Sequence, residues 1–301
     1  MTPNAKQPLT PNAKQLRGHH RREPRTILRR AASRALLYAV MIFVAAIVIL
    51  PILYTFVSGF RSTGDIAASP IGWPDLTRIV NFQNVLGSGL FWGAFALSSF
   101  IAIVTVTLTL LTASLVAYVL ARLEFRGKGA LFTLFTLGLL FPSTVMILPL
   151  YLLLNALGLL NNPWGVILPQ AAFQLPVSIV ILRPYFRSIP AEIEDAATLD
   201  GCTHLSFFLR ILLPMSRPAL STVAVLTTVV SWNAYLLPLV VFTSTAQATL
   251  PLAVRNYSTQ YSQDTAMVLA FATLAMLPAL ILYLFAEKQI VAGLGAGAVK
   301  G

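Results

Sequence analysis

Six long apolar stretches limit what this chain can fold into more than any local motif does. Each approaches the roughly 20 residues that a helix needs to cross the hydrocarbon of a bilayer. None carries Asp, Glu, Lys or Arg in its central part. A backbone in hydrocarbon must satisfy its own hydrogen bonds, which favours helices for segments of this length. We therefore predict an all-α membrane protein with six transmembrane helices. The stretches cover residues 35–59, 93–121, 130–156, 164–186, 218–242 and 265–286.

The composition agrees with a membrane protein and excludes several kinds of site. The chain is 57% hydrophobic and 10% charged, whereas soluble domains carry about 25% charged residues. Its single cysteine, Cys202, excludes an intrachain disulfide and a site built from several cysteines. Two of the three histidines lie in a basic N-terminal tail. We therefore expect no metal and no cofactor bound by this chain.

The basic residues are distributed so unevenly that they orient the chain. Nine of the 21 Lys and Arg residues precede residue 35. With the N-terminus in the cytoplasm, 18 of the 21 fall on the cytoplasmic side, as the positive-inside rule requires. We expect a bacterial plasma-membrane protein with both termini in the cytoplasm and long outer loops at about 60–92 and 243–264. The pattern indicates membrane orientation and argues against a nucleic acid partner.

The polar ends of the chain frame one transmembrane domain. Residues 1–34 read as a basic cytoplasmic tail that we expect to be disordered. Residues 35–290 form the predicted six-helix domain, and residues 291–301 form a cytoplasmic C-terminal tail.

The segment 188–217, which we call the elbow, interrupts the apolar pattern and is too polar to enter the bilayer. Pro190 suits the first turn of a helix, and Gly201 falls where a helix ends in a left-handed residue. Thr203 suits the cap of a second helix, whose apolar face includes Phe208. The pattern predicts a helix–turn–helix outside the membrane. By pattern alone, this unit either lies on lipid headgroups and its own bundle or docks another protein.

The elbow also carries a spaced motif that resembles the EAA loop of permease subunits in ATP-binding-cassette importers. The motif reads Asp195-Ala196-Ala197, three residues, Gly201, nine residues, then Ile211-x-Leu213-Pro214. Further matches are Ala117-Tyr118, Ala121-Arg122, Ser231-Trp232-Asn233, Thr249-Leu250-Pro251 and the ending IVAGLGAGAVKG. That ending is similar to the tail of the carbohydrate branch, which includes the smaller permease subunit of maltose-type importers.

Three positions depart from the family pattern. Asp195 stands where Glu is usual, Ala234 stands where an acidic residue often follows the Trp–Asn pair, and Gly295 stands where Thr is common. The first departure keeps the charge, whereas the second weakens a role in ligand handling at that position.

The resemblance implies a type I importer permease fold and a set of partners. These are a second permease subunit in a heterodimer, two ATPase subunits that bind ATP and Mg, and an extracytoplasmic binding protein that delivers a sugar. The chain has no G-x-x-x-x-G-K-[ST] phosphate loop. It also lacks ionisable groups in the centres of its spans, which proton-coupled carriers normally use. We therefore expect a non-catalytic subunit that takes its energy from a separate ATPase.

The resemblance also assigns roles at the ATPase. It implies that Glu194 and Asp195 make polar contacts with the ATPase. It implies that Ala196, Ala197 and Gly201 allow close packing and the turn. The second helix is then anchored by Ile211, Leu213 and Pro214. The C-terminal tail is expected to reach the same interface through Gly297, Lys300 and Gly301.

Contact with the substrate path or the binding protein is assigned to Trp232, Asn233, Arg255, Asn256, Tyr257 and Gln260. A simple solvated loop is nearly as good an interpretation of the last four. Gln170 and Gln174 are also polar groups in a span, where hydrogen bonds between helices are the favoured role.

Other functions remain open from the sequence. The first alternative is an importer of another small solute, such as glycerol phosphate, instead of a sugar. An ion-coupled secondary transporter is a second class, because sodium sites built from carbonyl oxygens leave no sequence signature.

Overall fold

Helices account for the architecture throughout the described part of the chain. The computed structural model describes residues 24–244, 247–257 and 264–298, and no β-strand occurs among them. The chain divides into two compact units, residues 1–53 and 54–301. The α-helices are α1 (Pro24–Ser58), α2 (Thr63–Ala68), α3 (Val80–Leu86), α4 (Gly89–Arg122), α5 (Lys128–Leu137), α6 (Ile147–Ala156), α7 (Trp164–Ser188), α8 (Ala191–Leu199), α9 (His204–Phe207), α10 (Leu213–Met215), α11 (Arg217–Trp232), α12 (Leu236–Val241), α13 (Leu250–Ala253) and α14 (Thr265–Ala298).

Four of the six predicted spans fall within single helices, namely α1, α4, α7 and α14. The other two are broken, because residues 130–156 are shared between α5 and α6 and residues 218–242 between α11 and α12. Among the described residues, three helices are long and apolar enough to cross a membrane alone. They are Ser33–Ser58, Gly89–Arg122 and Trp164–Ser188. The count of six spans therefore stays a prediction.

The first break has a local cause in the sequence, and the second can be located there. Pro142 lacks a backbone N–H and cannot continue a helix, and Phe141 before it takes the extended conformation that a following proline favours. The second break follows Trp232, where Asn233 caps α11 and α12 starts only after Tyr235. Elsewhere prolines are accommodated inside continuous helices, as in α7, which is tolerated in membrane proteins because neighbouring groups satisfy the freed carbonyls.

One apolar cluster lies at the C-terminal end of α4, where this helix packs along α7. Ala113, Ala117 and Ala121 repeat every fourth residue and are buried, which lets the two helix backbones approach closely. Leu182 and Phe186 of α7 are fully buried in the same cluster. This end of the bundle also receives the elbow.

A second apolar cluster lies at the N-terminal end of the same helix. Phe91 meets Phe271 of α14 edge to face, with ring centroids 5.6 Å apart. The segment 247–257 takes part as well, since Leu250 is fully buried and its N–H donates to the hydroxyl oxygen of Ser98 at 2.8 Å. With 34 residues, α4 is about 50 Å long and so separates the two clusters.

Gly165, at the start of α7, lies against neighbouring backbone more closely than the other glycines of the described residues. A Cβ added there would collide with the carbonyl oxygen of Leu159 and would lie 3.1 Å from Cγ1 of Val241 on α12. The close approach therefore fixes the loop before α7 against the second half of a broken span.

We predict that Gly165→Ala lowers the free energy of unfolding by about 1–3 kcal/mol, because overpacking forces the backbone to shift. The measurement is the thermal midpoint of the purified full-length protein in detergent. Gly93→Ala in α4 is the matched control, since nothing lies within 4 Å of a Cβ at that position. Equal midpoints for the two variants would contradict the close approach.

Candidate functional sites

The elbow has the local structure that its sequence predicts. Pro190 is the N-cap of α8, and Gly201 ends the first helix with φ +83°, a conformation that costs a residue with a side chain more than it costs glycine. Thr203 caps the second helix, because its hydroxyl oxygen accepts a hydrogen bond from the N–H of Ser206 at 3.3 Å. Two short helices joined by a turn therefore form this segment, while its place outside the membrane stays a prediction.

The second helix of the elbow is attached to the bundle by its aromatic face. Phe207, Phe208 and Leu212 are buried in the cluster at the end of α4. The ring of Tyr118 lies 5.1 Å from that of Phe208, and its hydroxyl donates to the carbonyl oxygen of His204 at 3.3 Å. A π turn over Phe208–Leu212 links α9 to α10, and insertions of this type often occur at functional sites.

The second helix continues through Pro214. The segment α10 runs on to Met215, and the chain bends by 77° before α11. Proline is compatible with the first turn of a helical segment, where its missing N–H is not needed. Ile211 and Leu213 are half-buried and Pro214 is exposed.

The first helix of the elbow is held by an ion pair from the end of α4. Nε of Arg122 lies 3.7 Å from Oε2 of Glu194, with the two side chains 8% and 19% exposed. Nη2 of Arg122 also donates to the carbonyl oxygen of Ile189 at 2.7 Å. The carboxylate of Glu194 therefore faces the bundle, and of the two acids assigned to the ATPase only Asp195 is exposed.

The opposite side of α8 is open and has its own pattern. Four exposed residues at i, i+3, i+4 and i+7 share one face of the helix. They are Glu192, Asp195, Ala196 and Leu199, and we call this surface the α8 stripe. Leu199 is 89% exposed although its side chain is apolar. Ala197, one residue beyond Ala196, is buried on the other side.

Two basic side chains near the elbow, Arg183 and Lys128, have partners outside the α8 stripe. Nε of Arg183 donates to the carbonyl oxygen of Leu120 at 3.1 Å, and its guanidinium lies 4.0 Å from the ring centroid of Phe132. Lys128 pairs with Glu124 at 2.7 Å, and this hydrogen bond holds the pKa of the Glu124 carboxyl below its ordinary value. These cations therefore do not neutralise the acids of the α8 stripe.

A cavity of about 560 Å³ lies between the two broken spans and α7. Gln170, Gln174 and Asn233 line it, but Trp232 does not. Trp232 is 6% exposed, and its ring packs against that of Phe95 with centroids 5.9 Å apart. Of the Trp–Asn pair singled out by sequence, only the asparagine faces the cavity.

The predicted contact residues of the loop before α14 are half-buried where the structure describes them. Arg255, Asn256 and Tyr257 are half-buried in a 3-10 turn, Val254–Tyr257. The ring of Tyr257 packs against Phe271 with centroids 5.5 Å apart. Gln260 lies outside the described residues.

In the C-terminal tail, the backbone is helical at Gly297, within α14. Lys300 and Gly301 lie outside the described residues.

Arg122 and Leu199 have functions in the structure that their sequence context does not assign. In the sequence, Arg122 is part of an Ala-Arg match and one of the cations on the predicted cytoplasmic side. Its position in the last turn of a long apolar helix was the available signal, since a cation there must find a partner nearby. Leu199, four residues after Asp195, was detectable by helical spacing as the end of the α8 stripe.

We predict that Arg122→Met destabilises the protein by about 1–3 kcal/mol, because it leaves the largely buried Glu194 carboxylate without the guanidinium. The measurement is the thermal midpoint of the full-length chain in detergent. Arg126→Met, at an exposed position of the next loop, is the control and should change stability by less than about 0.5 kcal/mol. Adding Glu194→Met to Arg122→Met should recover part of the loss. A midpoint of Arg122→Met equal to that of the control would contradict the pairing.

Comparison with known proteins identifies the family. Residues 110–291 match the family described as binding-protein-dependent transport system inner membrane component. The arabinooligosaccharide permease AraQ of Halalkalibacterium halodurans is 35% identical over 86% of this chain and 94% of its own length. The trehalose permease SugB of Mycobacterium tuberculosis is 33% identical over 90% of this chain and 99% of its own length.

Solved structures agree on the fold. A chain of a bacterial transporter that imports the acidic polysaccharide alginate superposes with a TM-score of 0.74 at 22% identity, covering 86% of this chain and 97% of that one. The chain belongs to the family of binding-protein-dependent transport system inner membrane components, the permease subunits of ATP-binding-cassette transporters.

Proposed function

We propose that this chain is one of two permease subunits of a sugar importer driven by separate ATPases. The relatives whose names carry arabinooligosaccharides and trehalose support the substrate class. The absence of a phosphate loop from the sequence supports the separate ATPase. ATP and Mg are bound by the ATPase subunits, and an extracytoplasmic binding protein delivers the sugar.

The proposal includes six spans with both termini in the cytoplasm. Four spans are the single helices α1, α4, α7 and α14, and two are the broken pairs α5–α6 and α11–α12. Broken helices are compatible with a membrane where they line a cavity and not lipid, and the cavity between the two breaks supports this arrangement. Eighteen of the 21 Lys and Arg residues fall on the cytoplasmic side in this arrangement, which supports the orientation.

Coupling to the ATPase is proposed to occur through the α8 stripe. This surface combines exposed acids with an exposed leucine, a combination that suits a protein partner. Anionic headgroups of the cytoplasmic leaflet attract basic segments and repel acidic ones, which argues against α8 lying on lipid. The single observation that carries the proposal is this division of α8 into one face tied to Arg122 and the bundle and one face left open.

Assembly is tested by purifying a tagged form of the chain from its native membranes. We expect an ATPase, a second permease and a binding protein to accompany it. Vesicles that contain the purified assembly should take up labelled trehalose or arabinooligosaccharide when ATP is supplied on the ATPase side and the binding protein on the other. Transport by the purified chain alone, driven by an ion gradient, would contradict the proposal.

We predict that Asp195→Lys lowers ATP-driven uptake about tenfold or more, because a reversed charge in a docked interface is strongly unfavourable. Membrane insertion and pairing with the second permease should remain unchanged, since the side chain of Asp195 is exposed. Asp200→Lys is the matched control, because Asp200 is an exposed acid at the end of the same helix but outside the stripe. Equal uptake by the two variants would count against docking through the stripe.

A further inference from the structure

The cavity is built where both broken spans leave helical geometry. Ser143 and Thr144 come from the break after α5, and Asn233 and Tyr235 come from the break after α11. Its volume of about 560 Å³ falls within the roughly 300–1,000 Å³ that is typical of small-molecule sites. Discontinuous helices often form the substrate site in transporters.

One buried amide at this cavity is only half satisfied. Gln170 is 6% exposed, and its Oε1 accepts hydrogen bonds from the hydroxyls of Ser231 at 2.7 Å and Thr105 at 3.4 Å. Its Nε2 has no hydrogen-bond partner. The hydroxyls of Ser231 and Thr105 both contact the same end of the amide group. Exchanging the oxygen and nitrogen of the amide would therefore still leave one polar atom unpaired. Buried groups of this kind are rare in native structures, which points to a ligand that completes the hydrogen bonding.

Bonds between helices explain only part of what Gln170 does. Its oxygen links α7 to α4 and α11 through Thr105 and Ser231, which is the ordinary role of a polar residue in a membrane bundle. The nitrogen takes no part in that linkage. Gln174, one turn further along α7, lines the same cavity and is also buried. The two amides thus offer donors and acceptors in one small volume.

The lining selects for ligands without charge. Among the described residues that line the cavity, none is Asp, Glu, Lys, Arg or His, and the rings of Phe141, Phe173 and Tyr235 are present. An anionic ligand would bring a buried charge without a partner, which is strongly unfavourable. A neutral sugar ring places hydroxyls on the amides and its C–H faces on the aromatic rings.

We propose that this cavity is a binding site for a neutral sugar ring and that the Gln170 amide recognises one of the sugar's hydroxyls. This inference rests on the proposed function, and it excludes acidic substrates such as glycerol phosphate.

Protection from alkylation tests the site in the purified assembly. Asn233→Cys is introduced together with Cys202→Ser, so that the cavity carries the only cysteine of this chain. Trehalose or an arabinooligosaccharide should slow maleimide labelling of Asn233→Cys about threefold or more, whereas glycerol 3-phosphate should not slow it. Labelling of Asp200→Cys, in the same Cys202→Ser background, should be insensitive to either solute.

Gln170→Met then isolates the amide. We expect it to raise the sugar concentration needed for half-protection about tenfold, the size expected for the loss of a hydrogen bond. Thr105→Val is the matched control, because it removes a bond between helices but leaves the unpaired amide atom, and it should leave the sugar dependence unchanged. The inference is overturned if Gln170→Met and Thr105→Val behave alike, or if glycerol 3-phosphate protects as well as the sugars.

The proposed function is read separately from the same preparations. ATP-driven uptake by the unsubstituted assembly tests that function, whereas protection of Asn233→Cys reports sugar binding without ATP. An assembly without ATP-driven uptake therefore contradicts the proposed function, while unprotected labelling in an assembly that transports sugar contradicts the binding site alone.

Discussion

The attachment of the elbow to the C-terminal end of α4 is the contact on which the rest of the account depends. A helical hairpin outside the bilayer transmits force only if it moves with the helices that carry it. Two kinds of contact make that attachment. Phe207, Phe208 and Leu212 are buried against α4 and α7, and Arg122 binds both Glu194 and the carbonyl oxygen of Ile189. Apolar burial is not directional, so the ion pair supplies the orientation of α8 that burial alone does not fix.

The same helices connect this attachment to the cavity. The second helix of the elbow bends by 77° into α11, whose other end carries Ser231, and Ser231 donates to Gln170. A displacement of the elbow therefore reaches the Gln170 amide along one helix. The breaks between α5 and α6 and between α11 and α12 lie at the cavity, so the backbone leaves helical geometry beside the proposed sugar site.

The sequence predicted the backbone of the elbow better than the directions of its side chains. Glycine at a left-handed position and threonine at a cap act through their immediate neighbours, so Gly201 and Thr203 were readable from local pattern. The inward direction of Glu194 depends on Arg122, which is 72 residues away in the chain and meets it only through the packing of α4 and α7. Trp232 was similarly assigned to the substrate path, yet tertiary packing buries it against Phe95. Apolar runs likewise predicted where helices occur, but they did not reveal that two of the spans are broken.

Site-specific photo-crosslinking from the α8 stripe tests the central claim most directly. A photoreactive amino acid replaces Leu199 in the assembled transporter, and the same residue replaces buried Phe207 as the control position. Irradiation should join the Leu199 position to an ATPase subunit, while the Phe207 position should give only products within the permease. Lipid adducts at Leu199 without any ATPase adduct would contradict the account, because they would leave the elbow resting on the membrane with nothing to drive it.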